Sequence, residues 1–124
     1  MTSFKAIHLS TDNKVALVDV TLNKFADVVH GDTTYTNAIY SELYSLHYND
    51  SLFCPKNEGV RLLFDRYFLG YKSHFCYIHA PITGDAILVK RHDSMAVSAN
   101  DQNLEFVTQM IELYKTQDKR CMLL

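Results

Sequence analysis

The chain has 124 residues, 48% of them apolar and 21% charged, with four Gly, two Pro, three Cys and no Trp. That apolar share excludes a disordered chain, the low Gly and Pro counts exclude collagen-like and linker-like chains, and the length suits one compact domain. Twelve Lys and Arg against 14 Asp and Glu leave a formal net charge of -2, without the positive excess that general grip on a nucleic-acid backbone requires.

Residues 4–9 and 15–20 are short apolar runs separated by Ser10-Thr11-Asp12-Asn13-Lys14, polar turn formers that predict a β-hairpin. Thr21 is placed to cap a short helix over 22–29, with Leu22, Phe25, Val28 and Val29 on one side and Gly31 as its stop. From 35 to 48 two periodicities compete. Tyr35, Ile39, Leu43 and Leu46 recur at helical spacing, whereas Tyr40, Tyr44, Leu46 and Tyr48 alternate with Glu42, Ser45 and His47. The tyrosines favour a strand, which the Asn49-Asp50-Ser51 turn would close into a second hairpin with 52–54.

Pro55-Lys56-Asn57-Glu58-Gly59 predicts a further turn. Residues 60–69 mix charge and bulk and read either as one helical turn or as a packed loop. A strand over 74–79, a turn at 81–85 and a short apolar strand over 86–90 follow. Asn100 or Asp101 then caps a helix reaching about Tyr114, with Leu104, Val107, Ile111 and Tyr114 on one face. The sum is an α+β fold: a small, mostly antiparallel sheet with one short and one C-terminal helix packed on it. It forms a single domain over 1–117 with a short tail at 118–124.

The order of an opening hairpin, then Asn57-Glu58-Gly59, then Ile82-Thr83-Gly84-Asp85-Ala86-Ile87-Leu88-Val89 and a C-terminal helix resembles a small domain-of-unknown-function family carried by phages, plasmids and large DNA viruses. Members show an N-E-E-G-like turn and an I-x-G-D/T-hydrophobic strand in these positions, and the likeness spans most of 3–115. The resemblance implies an accessory protein of a virus or mobile element, and it implies no catalytic residues.

Arg61, Arg66, Lys72 and Arg91 interleave with Phe64, Tyr67, Phe68 and Tyr71. Aromatic faces stack on a base and guanidinium groups make paired contacts to phosphate, so Arg61, Arg66, Tyr67, Tyr71 and Lys72 are the candidate ligand- or partner-binding residues. The plain alternative is an aromatic core with a solvated charged rim. His8-Leu9-Ser10 and His92-Asp93-Ser94 form two H-x-S triplets, similar in this respect to two-histidine phosphoesterases. In such a site His8 and His92 would serve as general base and acid, with Ser10 and Ser94 holding phosphate oxygens. It requires the two imidazoles to converge on one phosphate. His74, Cys76 and His79 do not read as a metal site, because a strand places the first two on one face and the third on the other.

Cys54, Cys76 and Cys121 are odd in number and form no C-x-x-C pair, which fits reduced thiols in a cytoplasm. Lys5, Asp12, Lys14 and Asp19 interrupt any signal-peptide run near the start of the chain. Lys119-Arg120-Cys121-Met122-Leu123-Leu124 fits a C-a-a-X box, so in a eukaryotic host Cys121 is a prenylation candidate and the chain a peripheral membrane protein. The leading expectation is a non-enzymatic accessory binding protein in the host cytoplasm. It needs no cofactor and inhibits or sequesters a host defence factor, or a nucleotide-like metabolite, stoichiometrically. A homodimer is left open, and the two-histidine phosphodiesterase and the prenylated protein are the alternatives.

Overall fold

The computed structural model describes residues 3–21, 37–49, 56–70 and 83–122, with side chains at all of these except 49 and 118–122. The opening hairpin forms as its pattern predicts. β1 (Phe4–Leu9) pairs antiparallel with β2 (Val15–Val20), Phe4 opposite Val20 and Leu9 opposite Val15. The polar turn is closed by Ser10, whose hydroxyl donates to the Asp12 carboxylate and accepts the Lys14 N–H at 3.1 Å. Asn13 takes the left-handed backbone, φ 68°, which Asn tolerates better than most residues.

The strand preferred over 35–48 is two strands, β3 (Asn37–Tyr40) and β4 (Tyr44–Asn49), paired antiparallel. Their reversal falls at Ser41-Glu42-Leu43 and not at Asn49-Asp50-Ser51. Ser41 accounts for this: its N–H donates to the Tyr44 carbonyl at 2.7 Å, and its hydroxyl accepts the Tyr44 N–H at 3.1 Å. The expected partner strand at 52–54, the helix over 22–29 and the strand over 74–79 lie outside the described residues.

β5 (Thr83–His92) is ten residues long, twice the predicted 86–90, and takes in part of the expected 81–85 turn. It lies between β1 and β4, with Leu88 opposite both Ile7 and Leu46. β6 (Met95–Val97) folds back on its end, Ala96 opposite Arg91. The order is β2-β1-β5-β4-β3, with β6 also on β5. From Thr83 to Val89 every β5 residue is buried, and Ala86-Ile87-Leu88-Val89 is a continuous apolar run that lacks the alternation of a half-exposed strand.

Helix α1 starts at Glu58–Leu62 and continues through a π-helical segment, Leu63–Phe68. Helix α2 spans Asp101–Met122, so the backbone of 118–122 continues the helix where a separate tail was expected. Asn100 and Asn103 cap it reciprocally, each side-chain oxygen accepting the other's N–H at 3.0 and 2.9 Å. One sheet face buries Ile7, Leu9, Leu46 and Leu88 against Val60 and Leu63 of α1 and Val107 and Ile111 of α2. The other face carries a smaller cluster, Ala6, Val20, Ile87 and Val89. The fold is α+β, with a mostly antiparallel sheet and one short and one C-terminal helix. Among the described residues no helix is long and apolar enough to cross a membrane.

Asn57 joins these layers. Its side-chain amide donates to the Leu9 carbonyl at 3.1 Å and the Gly84 carbonyl at 3.0 Å, while Oδ1 accepts the Val60 N–H at 3.2 Å as the cap of α1. The residue is 3% exposed, so water cannot replace these bonds cheaply. Gly84 has φ 74°, a conformation open to glycine and strained for other residues. Asn57→Ala should cost about 2–4 kcal/mol, from a lost helix cap and two buried carbonyls without a donor. Asn57→Asp keeps the cap acceptor but not the two donors, and urea unfolding should find it destabilised as well.

Candidate functional site

The aromatic and cationic segment singled out in the sequence is α1, and its side chains turn inward. Arg61 is held by Glu58 at 2.6 Å and Asp65 at 3.2 Å. Arg66 is buried, 8% exposed. Tyr67 stands edge-on to Tyr44 and Phe68, at centroid distances of 6.0 and 5.0 Å. Phe64 and Phe68 also pack on the core. Arg61 is thus engaged in internal ion pairs, and Arg66 and Tyr67 are packed among neighbouring side chains. Tyr71 and Lys72 lie outside the described residues, as do His74, Cys76 and His79.

The two H-x-S triplets are not brought together. His8 sits on β1 opposite Ile87, with its Nε2–H donating to Asp85 Oδ2 at 2.8 Å. Asp85 Oδ1 also accepts the Thr11 N–H at 3.1 Å, so the pair braces the β1–β2 turn. From Ile87 to His92 the chain advances about 17 Å and changes face. His92 is exposed beside Asp93, and Ser94 sits in the β5–β6 turn with φ 66°. One phosphate cannot reach both imidazoles, so the phosphodiesterase arrangement of His8, Ser10, His92 and Ser94 has no geometric basis here. Cys121 is in the last turn of α2, and its side chain is outside the description.

A different group assembles where β3, β4 and β5 meet. The register places Tyr40 opposite Ser45, and Arg91 one step beyond the Tyr44–Lys90 pair. Arg91 Nε donates to Ser45 Oγ at 3.0 Å, and Ser45 Oγ lies 2.9 Å from His47 Nε2. Arginine has only donors, so the Ser45 oxygen accepts from it, and the same hydroxyl shares a second hydrogen bond with His47 Nε2. The His47 ring is held neutral. Burial is the main reason that the neutral form is kept, and the Arg91 charge adds to it; together they lower the His47 pKa to about 4. Tyr40 closes the group from outside, with the Arg91 guanidinium carbon 5.1 Å from its ring centre and His47 edge-on at 6.2 Å. The Ser45-x-His47 spacing, period two on a strand, was the one local signal for this group.

Ser45 is 0% exposed and His47 7%, so substrate has no path to the pair; the group holds Arg91 and Tyr40 in place. Exposed side chains of both kinds, apolar and charged, surround this end of the sheet. Tyr40, Leu43 and Met95 are 61%, 55% and 69% exposed, and the Arg91 N–H to Leu43 carbonyl bond of 2.7 Å brings the β3–β4 turn against the end of β5. At the opposite end of the sheet a cleft of about 50 Å³ lies among Ser10, Lys14, Asn57, Thr108, Glu112 and Lys115. That is far below the roughly 300 Å³ of a site that encloses a nucleotide-sized ligand. Comparison with family models, curated proteins and solved structures finds no match.

The neutral His47 sets a pH dependence. The unfolded chain takes up its proton near the model-peptide value of 6.5, whereas the folded chain resists until about 4. Between those values the unfolded state binds more protons, so stability falls as pH drops, by up to about 3 kcal/mol, and is unaffected above that window. Urea midpoints measured from pH 7 to 5 should fall more steeply for the natural chain than for His47→Gln.

Proposed function

We propose that the chain is a non-enzymatic accessory binding protein of a virus or mobile element, acting stoichiometrically on a host protein. The carrying observation is the exposure of Tyr40 and Leu43, large apolar side chains more than half exposed beside Arg91, with Met95 exposed on the neighbouring β5–β6 hairpin. Such side chains gathered around a held arginine are what interaction sites offer. The viral or mobile-element origin is supported by the sequence resemblance, and with that origin a host defence factor is the natural target. The exposed apolar side chains Tyr40 and Leu43 favour a protein partner over the nucleotide-like metabolite considered from sequence.

The test compares the tagged natural chain with the Leu43→Ser, Met95→Ser double variant in host lysate. Both side chains are exposed, so thermal unfolding should be nearly unchanged, within about 0.5 kcal/mol for each. One host protein should co-purify in fixed ratio with the natural chain and fall about tenfold or more with the variant. Equal recovery by both, or no partner at all, would overturn the reading.

A further inference from the structure

We infer that Arg91 is the anchoring residue of this surface and that it pairs with a single carboxylate, an Asp or Glu side chain flanked by apolar residues on the partner protein. The inference rests on the binding reading above and specifies the chemistry that the partner presents.

Arg91 is prepared for such a contact before any partner arrives. Its Nε is committed to Ser45, its guanidinium lies over the Tyr40 ring, and Nη1 reaches the Ser94 carbonyl only at 3.4 Å. Nη2 has no hydrogen-bond partner, and Arg91 has no carboxylate partner, among the described residues. The other two arginines for which contacts can be compared are used differently: Arg61 spends its fork on Glu58 and Asp65, and Arg66 is buried. A planar fork held by two contacts loses little side-chain freedom on pairing, which is the usual cost of a surface ion pair. Tyr40 and Leu43, exposed beside it, would exclude water once covered and so strengthen the charge-assisted bonds.

The surrounding charge selects the kind of anion. At this end of the sheet Lys90 and Arg91 are matched by Glu42 and Asp93, and His92 already lies 3.4 Å from Asp93. The surface is therefore close to balanced before a partner binds. One added carboxylate suits Arg91, whereas a nucleic-acid strand or phosphate chain would meet the two acidic groups without an excess of cations among the described residues to offset its charge. Apolar neighbours next to the carboxylate are called for by Tyr40 and Leu43.

The probe is a random dodecapeptide display library panned on the intact purified chain, with enriched peptides synthesised and measured by fluorescence anisotropy. Enriched peptides should share an Asp or Glu beside apolar residues, and changing that residue to its amide should weaken binding about tenfold or more. Arg91→Lys should weaken binding comparably although the charge is kept, because an ammonium cannot form the fork; Lys90→Ala should stay within about twofold. The peptide amide arm leaves the protein untouched, so it decides the matter even if Arg91→Lys disturbs folding. Peptides lacking a shared acidic residue, indifference to the amide change, or tighter binding of an oligothymidine strand than of any peptide would each overturn the inference. If Leu43→Ser, Met95→Ser abolishes partner recovery while Arg91→Lys leaves it intact, the binding reading survives and the arginine anchor falls.

Discussion

The Asn57 side chain is the constraint on which the rest of the architecture hangs. Three bonds from one amide fix the end of β1, the start of β5 and the first turn of α1. Each is a requirement on buried groups: the Leu9 and Gly84 carbonyls need donors, and the Val60 N–H needs an acceptor. No apolar residue supplies both roles, and a carboxylate supplies only one. Gly84, with its positive φ, sits where β5 begins, and the irregular register between β4 and β5 at His47 and Asn49 lies nearby. Once this corner is set, β5 runs through the middle of the sheet, and the two helices cover the face that holds Leu46 and Leu88.

The far end of β5 inherits its geometry from that register. Arg91 meets Ser45 and Tyr40 because β4 pairs with β5 as it does, Leu46 opposite Leu88. The resulting contacts run from arginine to serine and from serine to a neutral histidine. A protonated His47 would be a charge taken out of water, and a second cation beside Arg91. Burial thus does more here than remove surface from water. It keeps His47 uncharged beside the serine that holds the arginine.

Local chemistry made much of the fold legible. The Ser10 to Lys14 turn between two β-rich runs, and the Asn cap followed by Leu104, Val107 and Ile111, were readable because turns and caps are built from neighbours in sequence. The segment over 35–48 shows where this stops. Its alternation was sound, but the reversal at Ser41 to Leu43 contains no Gly, Pro or Asn-Gly pair, and Ser41 closes it with its own side chain. β5 ran past its predicted ends because pairing partners on both sides, not its own residues, set its length. The interleaved aromatic and cationic residues around Phe64 to Phe68 looked like a binding stretch, yet a mixed pattern cannot say which way the charges face. Asp65, at 1% exposure, lies inside with its arginine partner.

The sequence by itself determined the class of fold, the opening hairpin, the final helix and the near-neutral charge that argues against general nucleic-acid binding. All of these follow from composition and from contacts within a few residues along the chain. Only the tertiary structure decided that Asn57 is a three-way clamp, that His8 and His92 face apart, and that Ser45, His47, Arg91 and Tyr40 form one group. Those facts depend on how β5 pairs with β1 and β4, which joins residues 34 to 81 positions apart, from Asn49 with Thr83 to Ile7 with Leu88, and leaves no mark in a local pattern.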